Sequence, residues 1–348
     1  MTVKLGVIGA GIVGTLRAQS IRENPTTELV AVADTDIEQA QRAAQGTQAQ
    51  IFADYRQLLE SSLDAVIVSS PLPLHEEHVS TALGAEKHVL CEKPLSNTVG
   101  SCRRILTLAS TVNAHLAVGF NHRYYPSIKF LKQAVEEGRI GTLDHLRIFG
   151  GHDGLANFRS DWQYRAPESG GGAMMDVGIH MTDLAHYLLG DVTEVYGVAS
   201  NRIWKVVGSE DNALAILKNP EGIPALYQAT WTEWKGYRFY VEAYGDLGMV
   251  RGYYAPMFNL LVTQTKPGGP RKRTIKLYPE IILRERFKSW TSTALISFRE
   301  ELQDFLKVLA GDDNVPLADG VAGLRAMEIA DAVYRSTASG KAVTLEAQ

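Results

Sequence analysis

A run of mostly apolar residues, Val3 to Ile8, leads without a break into Gly9-Ala10-Gly11-Ile12-Val13-Gly14. No other feature restricts the fold as much. A strand entering three glycines at this spacing turns tightly, leaves room for a pyrophosphate, and packs the following helix close on the strand. Asp34 follows at the end of the next strand, 20 residues after Gly14, where a carboxylate can accept ribose hydroxyls. Gly9, Gly11, Ile12, Val13, Gly14 and Asp34 are therefore the first candidates for a dinucleotide site. Asp34 would repel a 2′-phosphate, and Thr35 and Asp36 supply no arginine to receive one, so NAD is favoured. NADP is the second choice, because Arg17 and Arg42 lie on the neighbouring helices.

Downstream, short β-branched runs alternate with helical stretches. Leu29 to Ala33, Ala65 to Val68, His88 to Cys91 and Leu116 to Val118 read as further strands, with helices over Val13 to Glu23, Ile37 to Ala44, Glu76 to Leu83 and Val99 to Val112. Such alternation predicts a doubly wound, mostly parallel sheet over residues 1–122. After Arg123 the rhythm changes. Helices are expected over Ser127 to Glu137 and Asp176 to Leu189, with strand runs from Leu143 to Phe149 and then repeatedly between Val192 and Leu277, separated by Gly, Pro, Asn and Asp. Residues 123–348 thus read as an α+β domain with a meandering antiparallel sheet, closed by helices over Phe298 to Leu309 and Gly320 to Ser336.

A chain of 348 residues is long enough for two such domains at roughly 150 residues each. Thirty-five basic against 39 acidic side chains leave a net charge of −4, so no global positive field collects nucleic acid or anionic lipid, and a small-molecule substrate is expected. The basic turn Lys266 to Arg273 holds no aromatic stacking pattern and reads as a solvated hairpin. Cys91 and Cys102 are the only cysteines, which fits a reducing, cytoplasmic setting. The apolar stretch Leu5 to Leu16 has only Lys4 ahead of it and no small-residue cleavage pattern, so it is not expected to be a signal peptide. No apolar run approaches the roughly 18 residues of a membrane span. No metal is expected, since His75 and His78 have no clear partner ligands.

Two segments carry ionisable candidates for chemistry. Glu92-Lys93-Pro94 ends a strand at the carboxyl edge where open α/β sheets bind ligands, and Pro94 biases Lys93 away from helix. Gly170-Gly171-Gly172 opens a stretch in which Asp176 and His180 stand four apart, on one face of a helix, with Asp183 three further on. A histidine titrating near neutrality can take a hydroxyl proton, and a nearby carboxylate and ammonium tune and place it. His152, Arg159, Trp162 and Tyr164 precede the glycines and could meet a polyol through hydrogen bonds and ring stacking.

Taken together, these residues resemble the glucose-fructose oxidoreductase, inositol dehydrogenase and rhizopine catabolism (Gfo/Idh/MocA) family. The likeness runs from Gly9 through Pro71 and His75, His88 to Pro94, Gly119 to Pro126, Gly170 to Asp183 and the segment near Gly340. It implies a Rossmann domain followed by an α/β domain with a large open-faced sheet that commonly makes dimer or tetramer contacts. It further implies that Lys93, Asp176 and His180 are catalytic. Ser70, Pro71, His75, Glu92, Lys93 and Arg123 join the cofactor candidates, and Lys93, Arg123, His152, Arg159, Trp162, Asp176 and His180 form the substrate set. Leu72 departs from the family pattern, in which asparagine commonly follows this proline.

The resulting expectation is hydride transfer between a nicotinamide and a hydroxyl or ketone of a sugar, sugar derivative or cyclitol. Two alternatives stand beside it: a redox-neutral enzyme that cleaves or epimerises glycosides with tightly held NAD, and a non-catalytic nucleotide-binding sensor. The presence of Lys93 and His180 counts against the sensor.

Overall fold

The computed structural model describes residues 2–154 and 161–347. Its strands are β1 (Val3–Ile8), β2 (Thr27–Ala33), β3 (Gln50–Phe52), β4 (Ala65–Val68), β5 (His88–Glu92), β6 (Leu116–Gly119), β7 (Leu143–Gly151), β8 (Glu194–Ser200), β9 (Asn212–Lys218), β10 (Pro224–Thr230), β11 (Arg238–Gly245), β12 (Gly248–Tyr254), β13 (Phe258–Thr263), β14 (Lys272–Leu277), β15 (Ala318–Asp319) and β16 (Val343–Thr344). The chain divides into two compact units.

The first unit comprises the residues up to Tyr124 together with Phe287–Leu324. Its sheet has the order β15-β6-β5-β4-β1-β2-β3, with β1 to β6 parallel and β15 antiparallel to β6. Strands of this kind are covered on both faces, which is why β4 is an unbroken buried run of Ala65, Val66, Ile67 and Val68. In register, Val32, Val7, Ile67, Leu90 and Ala117 form one apolar row across the sheet. Leu302 and Phe305 of the helix Thr291–Leu309 pack into the same cluster.

That packing corrects the contiguous division at residue 122. Residues 287–324 fold with the dinucleotide-type sheet because the helix Thr291–Leu309 lies on the helix Ile12–Glu23 and β15 extends the sheet edge. A buried ion cluster fastens the arrangement. Arg17, fully buried, reaches Glu92 at 2.5 Å and Glu301 at 2.6 Å, with its guanidinium 3.9 Å from the centre of the Phe298 ring. Burial opposes the Arg17 charge, but Glu92 and Glu301 more than offset it and hold its pKa up.

The second unit comprises Tyr125–Arg286 and the residues from Arg325 onward. Its nine-stranded sheet runs β14-β13-β12-β11-β7-β10-β9-β8-β16. It is not one meander. Two antiparallel meanders, β8 to β10 and β11 to β14, flank β7, which pairs antiparallel with β11 and parallel with β10. Alternation along β9 buries Ala213, Ala215 and Leu217 and turns Leu214 and Ile216 outward. The helix Ile179–Leu189 packs on β7 and β10, and the helix Pro126–Glu136 packs on β12 and β13. The opposite face exposes Tyr196, Val198, Leu214, Ile216 and Leu226.

Glu301 makes the first unit pH-sensitive. Burial pushes its carboxyl from the ordinary 4.5 up to about 7, against the pull of Arg17. A carboxyl that holds its proton more tightly folded than unfolded contributes fully below the unfolded value, and that contribution is lost as pH rises through the folded one. The melting temperature is therefore expected to fall from about pH 5 to about pH 8 through this group. Glu301→Gln, which cannot ionise, flattens the slope in thermal melts; a slope identical to that of the unaltered chain would assign the titration to another residue.

Candidate active site

In the first unit, the glycine turn is set by backbone-to-backbone approach. Gly9 sits at φ +91°, and a Cβ there would lie 2.5 Å from the Ser70 amide nitrogen. A Cβ on Gly14 would strike the Gly9 carbonyl oxygen. Gly11 differs, because nothing lies within 4 Å of the position its Cβ would take. Open space therefore stands beside the amino end of the helix Ile12–Glu23, where unpaired backbone N–H groups favour an anion. Ile12 and Val13 begin that helix. Asp34 accepts the Ala10 N–H at 2.6 Å and the Asp36 N–H at 2.8 Å, so its carboxylate is tied to the turn itself. A site in which two glycines admit backbone and a third leaves a cradle fits a dinucleotide pyrophosphate.

At the carboxyl ends of β4 and β5 a histidine braces the loops. His75 is 2% exposed, and its ring nitrogens lie 2.8 Å from the Pro94 carbonyl and 2.9 Å from the Ser70 carbonyl. Burial lowers its pKa against the pull of the two carbonyls. The imidazole spans the loop holding Ser70 and Pro71 and the turn holding Lys93. The Ser70 hydroxyl lies 2.9 Å from the His78 ring. The Lys93-Pro94 bond is cis. Glu92 accepts from Arg17 Nε at 2.7 Å, so it too is held from behind the turn.

His122 was not singled out by its spacing, yet it is completely enclosed. Burial first, and the Lys93 charge second, push it down to about 3. A neutral imidazole beside Lys93 is the consequence. Arg123 is 5% exposed and donates to the Pro316 carbonyl at 3.1 Å, which makes it a tie to the segment preceding β15.

In the second unit, Asp176 belongs to a wider turn than the expected α-helix. Met174–Gly178 is π-helical, and the α-helix starts only at Ile179. The Asp176 Oδ2 atom lies 2.7 Å from His152 Nε2 and accepts from Trp231 Nε1 at 3.1 Å. The Gly154 N–H donates to His152 Nδ1 at 3.0 Å, so the histidine proton sits on Nε2 and is given to Asp176. His152, a candidate substrate residue, also orients the carboxylate. Tyr237 stands close by, its ring 6.5 Å from that of His152. His180 is 6% exposed on the first turn of the helix, and Asp183 is fully buried one turn further. Trp162, in the short helical turn Asp161–Tyr164, is half-buried. Arg159 lies outside the described residues.

Trp231 was missed by sequence reasoning. Its signal was its place just after the end of β10, which pairs with the strand that ends before His152. Among the described residues no group of three or more His, Cys, Asp or Glu side chains could hold a metal, and no helix is long and apolar enough to cross a membrane.

A dinucleotide-type unit joined to an open mixed sheet with an oriented carboxylate defines an oxidoreductase. Residues 3–120 match the description "Oxidoreductase family, NAD-binding Rossmann fold", and residues 128–251 match "GFO/IDH/MocA C-terminal domain". The oxidoreductase YrbE of Bacillus subtilis is 30% identical over 98% of this chain and 96% of its own length. The inositol 2-dehydrogenase of Azotobacter vinelandii is 30% identical over 98% of this chain and 95% of its own. A levoglucosan dehydrogenase solved with NADH has the same fold, with a TM-score of 0.87 at 22% identity and complete coverage of both chains. The chain belongs to the Gfo/Idh/MocA oxidoreductase family.

The glycines separate two effects. Gly14→Ala is expected to lower both thermal stability and NADH affinity, because its Cβ meets the Gly9 carbonyl. Gly11→Ala should leave stability within about 0.5 kcal/mol, since it fills only open space, while weakening NADH by about tenfold or more. Thermal melts and NADH fluorescence titrations check this, and equal affinity losses without any difference in stability would count against the geometry.

Proposed function

We propose that the chain is an NAD-dependent dehydrogenase of a sugar, sugar derivative or cyclitol. The observation that carries this reading is Asp176, a carboxylate four residues before His180 and oriented by two donors, the His152 ring and the Trp231 indole. Full-length similarity to inositol 2-dehydrogenases supports the same substrate class. Gly9, Gly11, Ile12, Val13, Gly14 and Asp34 would hold NAD, with Ser70 and Pro71 on the adjoining loop. Bound NAD supplies the carbon that accepts hydride. His180 takes the proton of the substrate hydroxyl, the Lys93 ammonium stabilises the negative charge that develops on its oxygen, and the Asp176 carboxylate favours the protonated imidazole. Asp176 keeps its direction because His152 and Trp231 both donate to the same oxygen.

The reading extends to assembly and compartment. The apolar sheet face bearing Tyr196, Val198, Leu214, Ile216 and Leu226 serves as the contact between copies of this chain, and the two buried cysteines suit the cytoplasm. Glutamate at both Ile216 and Leu226 is expected to convert a dimer or tetramer to a monomer in sedimentation, while an unaltered mass would remove this face from the interface.

Incubation with NAD and, in turn, NADP against inositols, aldoses, glycosides and sugar phosphates should give NADH absorbance with one chemical group. Accumulated NADH separates this reading from redox-neutral chemistry. Lys93→Ala and His180→Ala are each expected to lower kcat at least about 100-fold with NADH affinity within about twofold. Full turnover in both variants would refute the assignment.

A further inference from the structure

Glu210, which precedes β9, is 6% exposed, and no ion pair compensates its carboxylate among the described residues. Instead it collects amides. Its Oε2 accepts the Gly172 N–H at 2.9 Å, its Oε1 accepts the Met174 N–H at 2.7 Å, and its backbone carbonyl accepts the Ala173 N–H at 2.9 Å. Three successive amides of the glycine segment thus end on one residue. Tyr334, from the helix Gly320–Ser339, donates its hydroxyl to the same Oε2 at 2.9 Å. Burial keeps that phenol protonated and able to donate.

The glycines are shaped to this residue. A Cβ at Gly172 would strike the Glu210 backbone, and one at Gly171, at φ +155°, would strike the Tyr334 hydroxyl. The Gly172 carbonyl then accepts the N–H groups of Met175 at 3.0 Å and Asp176 at 3.1 Å. Two hydrogen bonds, both through Gly172, therefore connect the Glu210 carboxylate to the backbone of Asp176. Because an amino helix end otherwise leaves its N–H groups unsatisfied, a fixed acceptor here sets where the π-turn begins and hence the direction of Asp176 and His180.

We propose that Glu210, supported by Tyr334, is a positioning residue for the reaction: it anchors the turn from which Asp176 and His180 project. This rests on the reading that those two residues perform the proton chemistry. Aligning them with the substrate is a contribution to kcat rather than to cofactor binding.

The test uses the full-length chain with NADH and with myo-inositol plus NAD as the turnover probe. Glu210→Gln keeps the size but offers an amide where an oxygen accepted an N–H. It should lower kcat by about 10- to 100-fold, leave the NADH Kd within about twofold, and speed hydrogen exchange about tenfold in peptides spanning residues 170–180 but not 3–14. Tyr334→Phe, which removes one donor only, should move kcat and exchange in the same direction by a smaller factor, and it carries the test if Glu210→Gln fails to fold. Unchanged exchange and unchanged kcat would overturn the proposal, as would exchange that rises uniformly along the chain with loss of NADH binding. An unaltered chain inactive on myo-inositol would count against that substrate and not against the anchor; local exchange in the variants then decides, for or against.

Discussion

Close approach of one stretch of backbone to another is the constraint from which the first unit follows. The Gly9 turn passes so near the end of β4 that no side chain fits between them, and the helix Ile12–Glu23 begins so near Gly9 that Gly14 can carry none. This proximity places Arg17, one turn into that helix, beside the last residue of β5. Arg17 is then paired where water cannot reach, with Glu92 and Glu301 from two other elements. A buried ion cluster adds little net stability over an apolar one, but removing one member leaves the others uncompensated. Its effect is geometric: the glycine turn, the Lys93 turn and the helix Thr291–Leu309 are held in one register.

The same economy governs the chemistry-bearing residues. The candidate polar side chains of the two segments are mostly buried and engaged. His75 spans two carbonyls, His122 is kept neutral, His152 gives its proton to Asp176, and Arg123 holds a backbone carbonyl. Rigid supports of this kind reduce the reorganisation that proton and hydride transfer would otherwise require.

How much of this was legible depends on the range of the interaction. Strands β1 and β4 were readable to the residue because buried parallel strands are short, unbroken apolar runs bounded by turn residues. β3 and the helix Tyr55–Leu59 were not, being too brief for a period to register. The helix Pro279–Lys288 also escaped, since it buries little more than Ile281 and so shows no apolar stripe. Local spacing could not reveal that 287–324 returns to the first unit, nor that β7 lies between two meanders, because both are set by contacts between distant segments. In the site, Lys93, Asp176 and His180 stood out by residue type and position. The roles of His152, Trp231 and Glu210 did not, because each acts through a partner more than 20 residues away: 24 for His152, 55 for Trp231 and 38 for the Gly172 contact of Glu210.

The two glycine clusters make the same point physically. A glycine in sequence reports only that a Cβ is excluded, not what occupies the space. At Gly11 the space is open and faces a helix end able to receive an anion. At Gly172 it is filled by the Glu210 backbone, and the helix end that an anion might otherwise have neutralised is already satisfied by a carboxylate of the chain itself. The first cluster is therefore built to receive a phosphate and the second to refuse one. That difference gives the two glycine clusters opposite tasks: the first keeps a helix end open, and the second ties the start of the π-turn, and with it the Asp176 backbone, to Glu210.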